Sequence, residues 1–135
     1  MIKSVQLGKE IVITITNKIG ILADVSRILA DHGINIEAVA GYAVNNEAKI
    51  MVVTGDNLRA VDALKKAGYG QVKENEVLVV DLENKVGALK NFSVKLAEEA
   101  IDIKQIYGTV SGSDSPAKMI VSTADNEKAL VALKK

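Results

Sequence analysis

Residues 10–16, Glu-Ile-Val-Ile-Thr-Ile-Thr, place Ile11, Ile13 and Ile15 at every second position, the spacing of one face of a strand. Beyond them the period lengthens. Leu22, Val25, Ile28 and Leu29 form a stripe at intervals of three and four, which predicts a helix over 21–32 ended by His32-Gly33. Apolar runs at 34–44 and 47–54, joined at Asn45-Asn46, predict a hairpin. A second helix opens at Asp56 or Asn57, with Leu58, Val61 and Leu64 as its expected buried face, and a strand at 69–74 follows.

The same string is then written again. Shifted by 67, residues 17–41 match 84–108 at ten positions, among them Asn17/Asn84, Lys18/Lys85, Gly20/Gly87, Leu22/Leu89 and Gly41/Gly108. Shifted by 69, residues 48–66 match 117–135 at eleven, including Ala48-Lys49/Ala117-Lys118 and Asp56-Asn57/Asp125-Asn126. Two long copies are a tandem duplication rather than a solenoid. In the second copy Leu78, Val80 and Leu82 take the strand positions, Leu89, Phe92, Leu96 and Ala97 the helix stripe, and the hairpin loop lengthens to Ser111–Pro116.

The order β-α-β-β-α-β predicts an α+β fold of two ferredoxin-like units, 1–68 and 69–135, each an antiparallel sheet with its helices on one face. The second copy carries no closing strand after its last helix. Residues 2–7 stand before copy one as 69–74 stand before copy two, with Val5 opposite Val72. The expectation is that this N-terminal strand is exchanged and completes the second unit's sheet; a local hairpin through Gly8-Lys9 is the competing reading. A unit of this size alone buries only ~60% of its surface, so joining two covers an edge and enlarges the core.

Composition narrows the function. Of 135 residues, 48% are hydrophobic and 25% charged, a globular balance that argues against disorder. Seventeen Lys and Arg offset seventeen Asp and Glu, which removes the electrostatic reason to expect nucleic acid or an anionic membrane. No Cys is present, so disulfides, thiolate metal sites and a cysteine nucleophile are excluded, and a cytoplasmic setting is expected. Neither a signal-peptide core nor an apolar run of membrane-spanning length occurs. Only one Phe and three Tyr are available for an otherwise aliphatic core.

One segment in each copy carries candidate chemistry: Asn-Lys-Ile-Gly-Ile-Leu at 17–22 and Asn-Lys-Val-Gly-Ala-Leu at 84–89. Each lies where a strand ends and a helix begins. Free backbone N–H groups and a partial positive charge there suit a carboxylate. Gly20 and Gly87 permit a tight turn and a close approach, and the Asn amides can address ammonium and carboxylate together. Gly and Asn are equally ordinary turn residues, so physics alone leaves binding and scaffold even.

The pattern N-x-x-G-x-L-x-x-(V/F)-S, followed by a helix and Gly33-Ile34-Asn35-Ile36, resembles the ACT domain over both copies. The resemblance implies a free-standing pair of ACT units that binds a small effector, commonly an amino acid, and regulates a metabolic enzyme. It places one site at Asn17, Gly20, Ile21, Leu22 and Asn35, and a second at Asn84, Gly87, Ala88, Leu89 and Asp102, near the junction of two units. In the second copy Asp102 replaces the Asn and Ala100 the preceding Gly, so that site is expected to take a different ligand or none. Some serine-binding relatives carry a His two residues before the Asn, where this chain has Ile15 and Leu82. In this reading the four residues Asn17, Asn35, Asn84 and Asp102 address the ammonium of an amino acid or related carboxylate.

Other residues have plainer readings. His32, the only histidine, suits a helix C-terminal cap, and no metal or cofactor is expected. Tyr42, Tyr69 and Tyr107 are isolated and lack the basic face of an RNA-binding platform; Tyr42 and Tyr107 read as packing or interface residues. Arg27 with Asn17 invites an acylphosphatase-like enzyme, but copy two has Val94 at the Arg27 position. Ser26 and Ser93 have no partner base. No constellation of residues points to catalysis, and a dimerisation module with vestigial sites is the main alternative. Val12, Val39, Met51 and Val53 alternate with the core face and are expected to need a second copy as cover, giving a homodimer.

Overall fold

The computed structural model describes residues 1–135. Its elements run β1 (Ile2–Thr16), α1 (Ile21–Asp31), β2 (Ile36–Val44), β3 (Glu47–Thr54), α2 (Asn57–Lys66), β4 (Val72–Leu82), α3 (Ala88–Glu98), β5 (Ile103–Thr109), β6 (Ala117–Thr123) and α4 (Asn126–Lys134). The fold is α+β with antiparallel pairing of β1 with β3, β2 with β3, β4 with β6 and β5 with β6. Two expected pairs of short strands are single long ones. β1 passes through Gly8-Lys9 in extended backbone, so no hairpin forms there. β4 takes in part of 69–74 together with Leu78–Leu82.

The chain divides into two compact units, Lys9–Asn75 (the first) and Met1–Gly8 with Glu76–Lys135 (the second). This differs from a boundary at 68/69, and packing explains why. Tyr69 and Val72 are buried in one cluster with Ile11, Leu29 and Leu64, and Thr14 N donates to Gln71 O at 3.0 Å. Val5 is buried in another cluster with Leu78, Leu82 and Phe92; Glu83 N donates to Met1 O at 2.7 Å and Ser4 Oγ to Asp81 Oδ2 at 3.1 Å.

In the first unit the strands lie in the order β2-β3-β1-β4, with Ile11 opposite Val52 and Ile13 opposite Ile50. Ile11, Ile13, Ile50 and Val52 face Val25 and Leu29 of α1 and Ala60, Ala63 and Leu64 of α2. The helix stripe starts one residue earlier than expected. Ile21 is buried while Leu22 is half-exposed, because a helix beginning at Ile21 carries 21, 25, 28 and 29 on one face. Leu58 is likewise exposed, and small Ala60 and Ala63 let α2 approach the sheet instead.

The second unit repeats this with the order β1-β4-β6-β5 and a core of Leu78, Val80, Leu82, Phe92, Leu96, Val121 and Leu133. Its Asp125 and the first unit's Asp56 are the helix caps, accepting from Lys128 N at 3.0 Å and Arg59 N at 3.1 Å. The following Asn has a different task. Asn57 accepts from Thr54 Oγ1 at 2.6 Å and donates to Lys9 O at 2.9 Å; Asn126 accepts from Thr123 Oγ1 at 2.8 Å and donates to Glu76 O at 3.0 Å. The repeated Asp-Asn pair thus fixes each hairpin-to-helix turn onto a strand.

The opposite strand face corrects one expectation. Val12 and Met51 are buried within the single chain and Val53 is partly so; only Val39 is half-exposed. That set therefore supplies no demand for a second copy.

Candidate functional site

Between Thr16 and Ile21 the chain must reverse in four residues. Gly20 does so at φ 93°, a left-handed conformation that costs a side chain, and it caps α1 without any side-chain acceptor. Asn17 N donates to Asn46 O at 2.7 Å, fixing the turn to the hairpin. Above this turn lies a cavity of about 440 Å³ lined by Asn17, Lys18, Gly20, Ile21 and Leu22, by residues 39–43 of β2 and by residues 48–50 of β3. Its size suits a small organic molecule.

The walls are apolar and the polar groups few. Ile21, Val39 and Ile50 line it beside Gly41, where a Cβ would stand 3.5 Å from Lys49 O and 3.9 Å from Ile50 Cγ1. Neither the Asn17 amide nor the Lys18 ammonium is engaged by another side chain. Lys49 Nζ reaches only Thr14 Oγ1, at 3.5 Å. Tyr42 stands half-exposed at the rim.

Four of the five residues assigned to the first site, Asn17, Gly20, Ile21 and Leu22, therefore come together. Asn35 does not join them. It is exposed, its carbonyl accepts from Gly55 N at 3.1 Å, and α1, ~16 Å long for its 11 residues, carries the chain from Gly20 to the other end of the sheet before β2 begins. Lys18, Lys49 and Tyr42 were missed. The two lysines left a signal, since both recur in the second copy as Lys85 and Lys118.

The second turn has the same backbone, with Gly87 at φ 87° before α3, but a different occupancy. Asn84 Nδ2 donates to Gly112 O of the long hairpin loop at 3.1 Å. Lys85 Nζ pairs with Glu83 at 3.1 Å, and the N-terminal amine joins that carboxylate at 3.2 Å. Lys85 first, and then the amine, hold the Glu83 carboxyl below its ordinary pKa. A Cβ at Gly108 would collide with Met119 Sδ and the Lys118 carbonyl. Ala88 is buried and Leu89 half-exposed. Asp102 lies at the far end of α3, exposed and paired with Lys104 at 2.8 Å, an ion pair that raises the Lys104 pKa. A cavity of about 440 Å³ in this unit runs along α3 past Lys90, Val94 and Glu98 and takes in only Gly87 of the five assigned residues.

The remaining candidates are engaged in holding the fold. His32 Nδ1 lies 2.8 Å from Ile28 O, and Arg59 Nη2 donates to His32 O at 2.7 Å. Ser26 Oγ donates to Leu22 O at 2.8 Å and Ser93 Oγ to Lys90 O at 3.1 Å. Arg27 is paired with Asp24 at 2.6 Å and Asp31 at 3.3 Å and is not among the cavity's lining residues. Tyr69 OH donates to Asp24 Oδ2 at 2.5 Å. Burial and then that bond push the phenol up to about 12, while Tyr69 and Arg27 hold the Asp24 carboxyl below its ordinary value. No group of three or more potential metal ligands occurs, and no helix is long and apolar enough to cross a membrane.

Fold and cavity define a small α+β protein with a ligand-sized hollow at a strand-to-helix turn. Residues 9–67 match the family model of the ACT domain. The fold is similar to that of protein BT0572 from Bacteroides thetaiotaomicron, with TM-score 0.89 and 24% identity over 96% of this chain and 88% of that one. It is also similar to the ligand-free regulatory subunit of aspartate kinase from Thermus thermophilus (TM-score 0.70, 17% identity, 98% and 96% covered). The corresponding subunit from Thermus flavus gives TM-score 0.63 and 19% identity, with 98% and 94% covered. No curated protein matches the chain in sequence.

Proposed function

We propose that the chain is a non-enzymatic regulatory protein, a tandem pair of ACT-like βαββαβ units in which residues 2–7 close the second sheet. It binds a small amino acid or related carboxylate at the Asn17–Leu22 turn and so modulates a metabolic enzyme in the cytoplasm. The cavity at that turn is the observation that carries this reading. Support comes from the ACT match over residues 9–67, a class of domain that regulates rather than catalyses, and from the fold shared with aspartate kinase regulatory subunits.

Bound ligand would order the Asn17–Gly20 turn against β2 and β3. Regulation follows only if the partner prefers that ordered state, since a ligand shifts an equilibrium by its differential affinity. A homodimer would present this arrangement twice. Melting in the presence of amino acids and simple carboxylates tests the reading. Ligand at 100 times its Kd adds ~2.7 kcal/mol and raises Tm by several degrees. Gly20→Val, which forces a β-branched residue into the left-handed region, should abolish the shift. A flat response to every compound would leave the dimerisation module with vestigial sites as the better account.

A further inference from the structure

The cavity of the first unit has an uneven charge. Two cations, Lys18 and Lys49, line it and no Asp or Glu is among the lining residues; the carboxylate that feels Lys18, Asp24, lies outside the lining and is already held by Arg27 and Tyr69. Asn35 and Asp102, the groups assigned to an ammonium, lie at the far ends of α1 and α3 in their own units. What remains around the hollow is apolar wall, the Tyr42 phenol at the rim, the Asn17 amide and two positive charges.

The second unit shows the same positions spent internally. Lys85, in the place of Lys18, is neutralised by Glu83, which stands where the first copy has Thr16. Asn84, in the place of Asn17, is bound to the Gly112 carbonyl. Met119, in the place of Ile50, lays its sulfur against Gly108, whereas Gly41 has room for another atom.

Resting on the ligand-binding reading above, we infer that the chain holds one such site, in the Lys9–Asn75 unit, and that it selects a ligand of net negative charge. A dicarboxylate or an acidic amino acid meets that description, with its acid groups on Lys18 and Lys49 and its carbon chain on Ile21 and Ile50. The equivalent junction of the second unit is closed by its own side chains.

Calorimetry on the full chain at low salt tests this, with succinate, L-aspartate, L-valine and L-threonine as probes. The expected result is one succinate or L-aspartate per chain and at least tenfold weaker binding of the two neutral amino acids. Lys18→Met should weaken the bound anion about tenfold, the loss of one charge-assisted contact, and raising the salt should weaken it further. Asn84→Ala and Lys85→Met should leave affinity and stoichiometry unchanged. Tighter binding of valine or threonine, two ligands per chain, or indifference to Lys18→Met would overturn the inference while leaving a ligand sensor in place. If no small molecule binds at all, the sensor reading falls with it.

Discussion

The turns at Asn17–Gly20 and Asn84–Gly87 share sequence, backbone and position, yet one opens on a hollow and the other does not engage a ligand-sized space with the same residues. Their glycines agree within a few degrees of φ. The difference lies in side chains outside the motif. Glu83 against Thr16, Met119 against Ile50, and a long against a short hairpin loop decide whether Asn and Lys point at solvent or at their own chain. A motif therefore specifies a turn, and the neighbours specify whether the turn opens on a cavity.

The cores differ in the same way, and the largest effect should appear there. Val25 and Phe92 occupy equivalent helix positions, both fully buried. Phe92→Ala should cost about 3–5 kcal/mol and Val25→Ala about half as much, read from urea midpoints. Equal losses would mean that the two cores are not packed around different anchors. Next in size is the Gly108 contact. Gly108→Ala meets backbone at Lys118 and should cost about 2–3 kcal/mol, whereas Gly41→Ala meets only ordinary contacts and should cost under about 1 kcal/mol. Similar values for the pair would erase the steric difference between the junctions.

A smaller effect of opposite sign follows α1 and α3. Gly33 leaves α1 at φ 69°, and its counterpart Ala100 leaves α3 at φ 55° with a Cβ that disfavours that region. Ala100→Gly should stabilise the protein by about 1 kcal/mol, and Gly33→Ala should destabilise it by a similar amount. Melting temperatures moving in the same direction for both would contradict this.

Much of the fold was legible because periodicity and duplication reinforce one another. The hairpin strand at 47–54, the helices and Gly20 and Gly87 all follow from spacing. Strand continuity was not, because Gly8-Lys9 reads as a turn, whereas Gly8 sits in extended backbone where a Cβ would stand 3.0 Å from Val79 Cγ2, a close approach across the sheet. Leu22 and Leu58 were read as buried because hydrophobicity outranked helix phase. The candidate site was half legible. Asn17 through Leu22 are contiguous and fold as one turn, but Asn35 is separated from them by a helix that reverses the chain. Lys18 belongs to that same turn, and Lys49 joins the cavity from β3 through strand pairing; only their recurrence as Lys85 and Lys118 marks the two in the sequence.

The smallest expected effect concerns a contact present in one unit only. In the first, Tyr69 OH is bonded to Asp24, itself paired with Arg27; the equivalent positions of the second are Ile2, Asn91 and Val94. The phenol is raised to about 12 in the folded state against about 10 unfolded, so its contribution is complete below pH 10 and is lost as pH rises toward 12. Asp24 is depressed, so its contribution is present above the ordinary carboxylate range and is lost as pH falls through its lowered value. Tyr69→Phe should cost about 1 kcal/mol at pH 7, and the gap between the variant and the parent should narrow from pH 10 upward. Asn91→Ala, at the matching place in the second unit, should show no such pH dependence. Urea midpoints from pH 7 to 11 decide it: a gap that stays constant would mean that the Tyr69–Asp24 bond does not distinguish the first unit from the second.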